Sequence, residues 1–199
     1  MQVPSYKFYF NKNATNLDVI LHGSSDGMDS QFITKIWNAS VKNGSSTVAF
    51  NFPYLERGDA NSSGGQLAEE VDALESILKV CQSGNYRTTR LIGKSLGGIV
   101  ANYFLKNLPE DEKGKYSIVI FGYIPGSIDL KSFPGKIDII QGSQDRFGDI
   151  EKVKGDLGDT LSKNIKFYSV EGADHSYRNP ETEEPVFEDR AIECMFPMI

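Results

Sequence analysis

Short apolar segments and amphipathic segments alternate along this chain from end to end, and no other feature narrows its fold as far. Residues 6–10, 17–21, 47–52, 88–92, 116–121, 137–141 and 165–170 read as strands. Between them, residues 29–41 carry Phe32, Ile33, Ile36, Trp37 and Val41 on one helical face, with Gly44 placed as a stop. Helical spacing recurs over 66–81 through Leu67, Val71, Leu74, Ile77 and Leu78. It recurs again from Leu96 to Leu108, where Pro109 closes it, and over 150–161. A closing helix is expected over 183–196, with Pro185 obscuring its start. Alternation of this kind means βαβ units. The expected fold is α/β, a three-layer sandwich whose mostly parallel sheet of about six or seven strands carries helices on both faces. Neither a repeat nor a low-complexity linker interrupts it, so residues 1–199 are expected to form one domain. The one long irregular piece, 53–65, is rich in Gly, Asn and Ser and follows a strand's end. Ligands bind at such ends in open α/β sheets, so this is either a substrate-side loop or a plain surface loop.

The strand at 88–92 runs directly into Gly93-Lys94-Ser95-Leu96-Gly97, and the helix follows at once. A G-x-S-x-G at a strand-to-helix junction is the setting of a nucleophile elbow. A serine in so tight a turn leaves little room two residues away on either side. Gly93 and Gly97 remove the side chains that would clash, and Ser95 is left pointing outward. The same letters resemble the end of a phosphate-binding loop, G-x-x-x-x-G-K-[ST]. That pattern requires a glycine where Thr88 stands, and a flexible loop where Thr89-Arg90-Leu91-Ile92 is strand-like. The elbow is the better reading. A bland alternative is a glycine-rich turn whose serine only caps the helix.

A serine hydroxyl needs a base to take its proton and a third group to orient that base. The chain has 2 histidines. His175 lies in the turn-rich Glu171-Gly172-Ala173-Asp174-His175-Ser176, directly after a strand, and is the expected base. The acid belongs between Ser95 and His175 on a loop leaving a strand's end. Asp145, in Gly142-Ser143-Gln144-Asp145-Arg146-Phe147-Gly148, fits that position. Asp149 competes, although it is also placed to cap the next helix. Asp138 lies inside a strand, and Asp174 adjoins the base too closely to turn toward it. The backbone N–H of Leu96 is one expected oxyanion donor. The second is expected from the loop His22-Gly23-Ser24-Ser25-Asp26-Gly27, with Ser24 preferred over Ser25. His22 itself reads as a brace for that loop.

Composition sets the bounds. A chain of 199 residues with 39% hydrophobic and 24% charged residues suits a globular protein with a proper core. A net charge of −6 argues against nucleic acid or an anionic membrane as partner. No apolar run approaches the length that crosses a bilayer. Cys81 and Cys194 have no metal-like spacing and are expected as buried free thiols; no metal and no cofactor is expected. The N-terminus lacks a basic stretch followed by an apolar one, so a cytoplasmic protein, monomeric or dimeric, is expected.

At Leu21-His22-Gly23, Gly93-Lys94-Ser95-Leu96-Gly97-Gly98, the Gln141–Gly148 stretch and Gly172-Ala173-Asp174-His175-Ser176, the chain resembles the α/β-hydrolase superfamily. It is most similar to the small dienelactone-hydrolase-like branch, which includes testis-expressed and chromatin-complex-associated homologues. Dienelactone hydrolases proper carry a cysteine nucleophile where this chain has Ser95, so the resemblance implies the machinery rather than that substrate. In this superfamily a lid is inserted after the strand matching 116–121. Here only Gly122 to Gly135 intervenes, too short for a cap, and the superfamily's usual first strand is expected to be missing. The resemblance implies a shallow site lined by Tyr54, Tyr123, Ile124 and Phe147, and a serine hydrolase of a small carboxylic ester or thioester. The alternative is a catalytically idle scaffold of the same fold that binds a partner.

Overall fold

Strands and helices alternate in the computed structural model, which describes residues 3–196. Met1 and Gln2, at the start of the segment searched for an export signal, and residues 197–199 lie outside the described residues. β1 (Tyr6–Tyr9) and β2 (Asn16–Leu21) lead to α1 (Gln31–Lys42), β3 (Ser46–Phe50), α2 (Pro53–Arg57) and α3 (Ala68–Val80). β4 (Thr88–Lys94) runs into α4 (Leu96–Asn107), then α5 (Glu110–Lys113), β5 (Tyr116–Phe121) and β6 (Ile137–Gly142). α6 (Ile150–Leu157), β7 (Ile165–Val170) and α7 (Glu188–Met195) complete the order.

The strands form one seven-stranded sheet in the order β1-β3-β2-β4-β5-β6-β7. Every pairing is parallel except that of β1 with β3, where Tyr6 stands opposite Phe50. No strand pairs with the outer side of β1 among the described residues. Strands covered on both faces need apolar residues at successive positions. Leu17, Val19, Leu21, Leu91, Ile118, Ile120 and Ile139 enter a core shared with α3, α4 and α6. Ile20, Ile92, Val119, Phe121 and Ile140 point the other way, into a core closed by α1 and α7. Each such side chain contributes about 1.5–3 kcal/mol when fully buried, so alternation on both faces makes a slip in register costly. Asp18 is one of the buried polar exceptions, and Arg90 satisfies it through Nε at 3.0 Å.

Several boundaries differ from the sequence reading for local reasons. The irregular stretch expected over 53–65 opens with α2, which has Pro53 at its first position and Gly58, at φ 75°, just past its end. The helix expected from residue 66 starts at Ala68 because Leu67 is left-handed, at φ 51°. Gly158, at φ 56°, ends α6 short of residue 161. The closing helix begins at Glu188 rather than 183: Asn179 N–H donates to the Glu184 carbonyl at 2.9 Å, its own carbonyl accepts from Glu183 N–H at 2.8 Å, and Glu183 is held at φ 59°. Cys81 is buried, whereas Cys194 is partly exposed.

Six parallel strands deliver all their C-terminal ends to one edge of the sheet. The loops after β2, β4, β5, β6 and β7 therefore meet there.

Candidate active site

Ser95 sits alone between the last residue of β4 and the first of α4, at φ 50° and ψ −112°. A non-glycine residue in that region is strained by about 1–3 kcal/mol and must be held by its surroundings. Its N–H donates to the Phe121 carbonyl at 2.8 Å, and its own carbonyl accepts from Gly98 N–H at 2.9 Å. The flanking glycines are required by space. A methyl group on Gly93 would stand 2.4 Å from Gly98 N, and one on Gly97 would stand 2.3 Å from the Leu21 carbonyl oxygen. Both obstacles are backbone, which cannot swing aside. Gly97→Ala is expected to cost about 3 kcal/mol and to lower the melting temperature by about 10 °C. A melting curve that matches the native protein would contradict this account of the turn.

The Ser95 hydroxyl lies 3.0 Å from His175 Nε2, and His175 Nδ1 lies 2.7 Å from Asp145 Oδ2. The three residues chosen from the sequence thus form one hydrogen-bonded chain at the C-terminal edge of the sheet. The Asp145 carboxylate is fully enclosed. Its Oδ2 also accepts from Gln141 Nε2 at 2.9 Å, and its Oδ1 accepts from Phe147 N–H at 2.9 Å. With both oxygens engaged on fixed donors, the carboxylate can only present one face to the imidazole. Asp149 is the N-cap of α6, accepting from Lys152 N–H at 3.0 Å, which removes it from the site. Asp138 pairs with Lys136 inside the sheet. Asp174 turns into its own loop, accepting from Ser176 and Arg178 N–H at 2.7 and 2.8 Å.

The acid and histidine loops are sewn together. Gln144 N–H donates to the Ala173 carbonyl at 2.9 Å, and Gly172 N–H donates to Ser143 Oγ at 2.9 Å. Gly142 permits this approach, since a methyl there would stand 2.4 Å from the carbonyl oxygens of Ala173 and Asp174. The Phe147 ring meets the His175 ring edge-on at 4.7 Å and walls its open side.

A cavity of about 470 Å³ opens over Ser95. Ser24, Leu96, Ile124, Phe147 and His175 line it, as do the exposed Arg146 and Arg178. Two residues expected in the lining are elsewhere. Tyr54 is buried under the β2 loop, where its hydroxyl donates to the Ser24 carbonyl at 2.9 Å. Burial pushes its phenol up to about 12, so it stays a donor at neutral pH. Tyr123 is enclosed in the core because its hydroxyl reaches the Ile128 carbonyl at 3.0 Å and Asp156 at 2.9 Å.

His22 braces the oxyanion-side loop, as expected from its position. Its Nδ1 lies 2.6 Å from the Gly23 carbonyl, and its Nε2 accepts from Phe52 N–H at 2.9 Å. Burial lowers its pKa, which favours the neutral ring those two contacts require. Sequence reasoning passed over Gln141, whose amide also donates to the Gly148 carbonyl at 2.7 Å and accepts from Tyr123 N–H at 2.8 Å. The available signal was a polar residue directly after the apolar pair Ile139-Ile140, at the strand's end. Among the described residues no group of three or more His, Cys, Asp or Glu side chains stands close enough to hold a metal.

Comparison with known proteins fits this geometry. The fold superimposes on an alpha-beta serine hydrolase homologue from Coxiella burnetii with a TM-score of 0.71 at 19% identity, covering 97% of this chain and 94% of that one. XC6422 from Xanthomonas campestris, a serine hydrolase of this fold without a lid, gives 0.67 at 18% identity, over 98% and 89%. Est1E from Butyrivibrio proteoclasticus, with ferulic acid bound, gives 0.67 at 12% identity, over 96% and 93%. No curated protein matches the sequence. Residues 15–195 match the family model of the alpha/beta hydrolase domain, and the chain belongs to that family.

Proposed function

We propose that this protein is a serine hydrolase that cleaves a small carboxylic ester or thioester. The observation that carries the reading is the continuous Asp145–His175–Ser95 chain, with its 2.7 and 3.0 Å links. In the proposed sequence, His175 Nε2 takes the Ser95 proton as Oγ bonds to the carbonyl carbon. The carbonyl's electron pair moves onto oxygen, where the N–H groups of Leu96 and Ser24 stabilise it. The tetrahedral intermediate collapses, His175 gives its proton to the leaving alcohol or thiol, and an acyl group remains on Ser95. Water, deprotonated by the same imidazole, then releases the acid. Asp145 holds Nδ1–H throughout and keeps the lone pair of Nε2 toward Ser95. Tyr54 and His22 act one layer out, fixing the carbonyls of Ser24 and Gly23 and with them the course of the loop.

The idle-scaffold alternative has no comparable support. A binding module has no use for a buried carboxylate aligned through an imidazole onto a strained serine. Reaction with a fluorophosphonate probe separates the two readings.

Substrate size follows from the opening of the site. Only turns link β5 to β6, so no cap covers the cavity. Each methylene buried is worth about 0.8 kcal/mol, and an open cavity buries few of them. Acyl groups of about two to six carbons are expected to give the highest kcat/KM. Micelles are expected to add no activation, since there is no lid for a lipid surface to displace. A series of aryl esters of increasing acyl length, with and without detergent, checks this. A kcat/KM still climbing at about twelve carbons would mean a long acyl tunnel and would overturn the size argument.

A further inference from the structure

We propose that Lys94 is a positioning residue for His175: its ammonium anchors the histidine loop by its backbone and so holds the imidazole in place. The proposal rests on the hydrolase reading of Ser95, His175 and Asp145. Lys94 ends β4, one residue before Ser95, and lines the cavity with it. Its Nζ donates to the backbone carbonyl of His175. It also lies over the ring of Tyr177, 5.4 Å from the centroid. Tyr177 is fully buried and pinned in turn, its hydroxyl donating to the Ile140 carbonyl at 2.7 Å.

Gly122 makes the arrangement possible. At φ +70°, a methyl group there would stand 2.9 Å from His175 Cε1, 3.1 Å from His175 Nδ1 and 3.0 Å from Lys94 Nζ. The ammonium and the imidazole therefore flank the same small space, which only glycine leaves open. Lys94 forms no ion pair among the described residues. The charged groups around it are Asp145, Asp174 and Asp26, which favour the ammonium, and Arg146, which opposes it.

A half-buried ammonium without a close carboxylate is a stability cost. Burial lowers the Lys94 pKa to about 8 from its usual 10.5. The unfolded chain then holds this proton more tightly than the folded one, so the Lys94 contribution to stability rises as pH climbs from about 8 to 10.5. At neutral pH the fold carries an expense that a methionine would not impose. Such a cost, placed against the imidazole of a reactive site, is what a functional charge looks like.

The test uses the full chain and two variants, Lys94→Met and Lys94→Gln. NMR of the ring C–H groups of the 2 histidines at one fixed pH reports how firmly the His175 ring is held, with His175→Gln assigning the signals. The His175 signals are expected to broaden in Lys94→Met, whose histidine loop loses its anchor, and to stay sharp in Lys94→Gln. Lys94→Gln, which keeps a donor for the His175 carbonyl, is expected to recover part of a kcat loss of about 10-fold in Lys94→Met, with KM little changed. Lys94→Met is expected to melt no lower than the native protein at pH 7. His175 signals as sharp in Lys94→Met as in the native protein overturn the proposal, and so does a lowered melting temperature with native kcat in those that remain folded. The NMR comparison needs no turnover. A native protein that neither cleaves esters nor takes up a fluorophosphonate would therefore count against the hydrolase reading alone.

Discussion

Ser95→Ala is expected to lower kcat toward any ester substrate by a factor on the order of 10⁶ while the protein stays folded. The large loss follows from the role of Oγ, which forms the bond to the acyl group and has no substitute nearby. The small structural effect follows from what the hydroxyl touches. Its one contact within the site is His175 Nε2 at 3.0 Å, and losing a hydrogen bond of that kind changes stability by about 1 kcal/mol or less. The backbone hydrogen bonds of residue 95 to Phe121 and Gly98 do not involve the side chain. Ser95→Gly sharpens the argument. At φ 50° and ψ −112°, glycine relieves strain that serine and alanine both bear. The glycine variant is expected to be inactive and to melt at or above the native temperature. Initial rates on an aryl acetate, together with thermal melts, check both variants. Measurable native-like turnover in Ser95→Ala would sink the nucleophile assignment.

Asp145→Asn is expected to reduce kcat by about 10³–10⁴. The site explains why so small a change does so much. Asp145 accepts at Oδ2 from His175 and Gln141 and at Oδ1 from Phe147 N–H. An amide has one oxygen, so in either orientation its NH₂ meets a donor. If that NH₂ faces the imidazole, His175 adopts the tautomer that carries its proton on Nε2. That proton points at Ser95 and leaves no lone pair to act as base. Asp149→Asn is the internal control. Asparagine caps a helix about as well as aspartate, so α6 and the site are expected to be undisturbed. Should Asp149→Asn prove the damaging change and Asp145→Asn the silent one, the acid has been assigned to the wrong residue.

Most of the architecture was legible because parallel strands buried on both faces need unbroken apolar runs, and those runs stand out in the sequence. Ser95, Asp145 and His175 were legible for another reason: each occupies a strand-end loop, and such loops converge whatever their separation along the chain. Side-chain direction just past a strand end was not legible. Tyr54 and Tyr123 were expected over the cavity, yet each turns inward because a buried acceptor waits for its hydroxyl. Nothing local in the sequence announces a carbonyl brought in from elsewhere in the fold. Gln141 was hidden in the same way, since Tyr123 becomes its neighbour only once β5 and β6 are paired, and Asp145 and Gly148 only once their loop folds back over it. α2 carried its proline and glycine signals openly. At five residues it is too short for apolar periodicity to register.

Mass spectrometry of the native protein after exposure to a fluorophosphonate tests the central claim most directly. The probe's phosphorus is attacked by an activated serine, fluoride leaves, and the adduct remains on the attacking oxygen. One adduct per chain is expected, on the peptide bearing Ser95, and it is expected to vanish in Ser95→Ala and to slow severely in His175→Gln. A folded native protein that acquires no adduct, or acquires it on any other residue, would contradict the account.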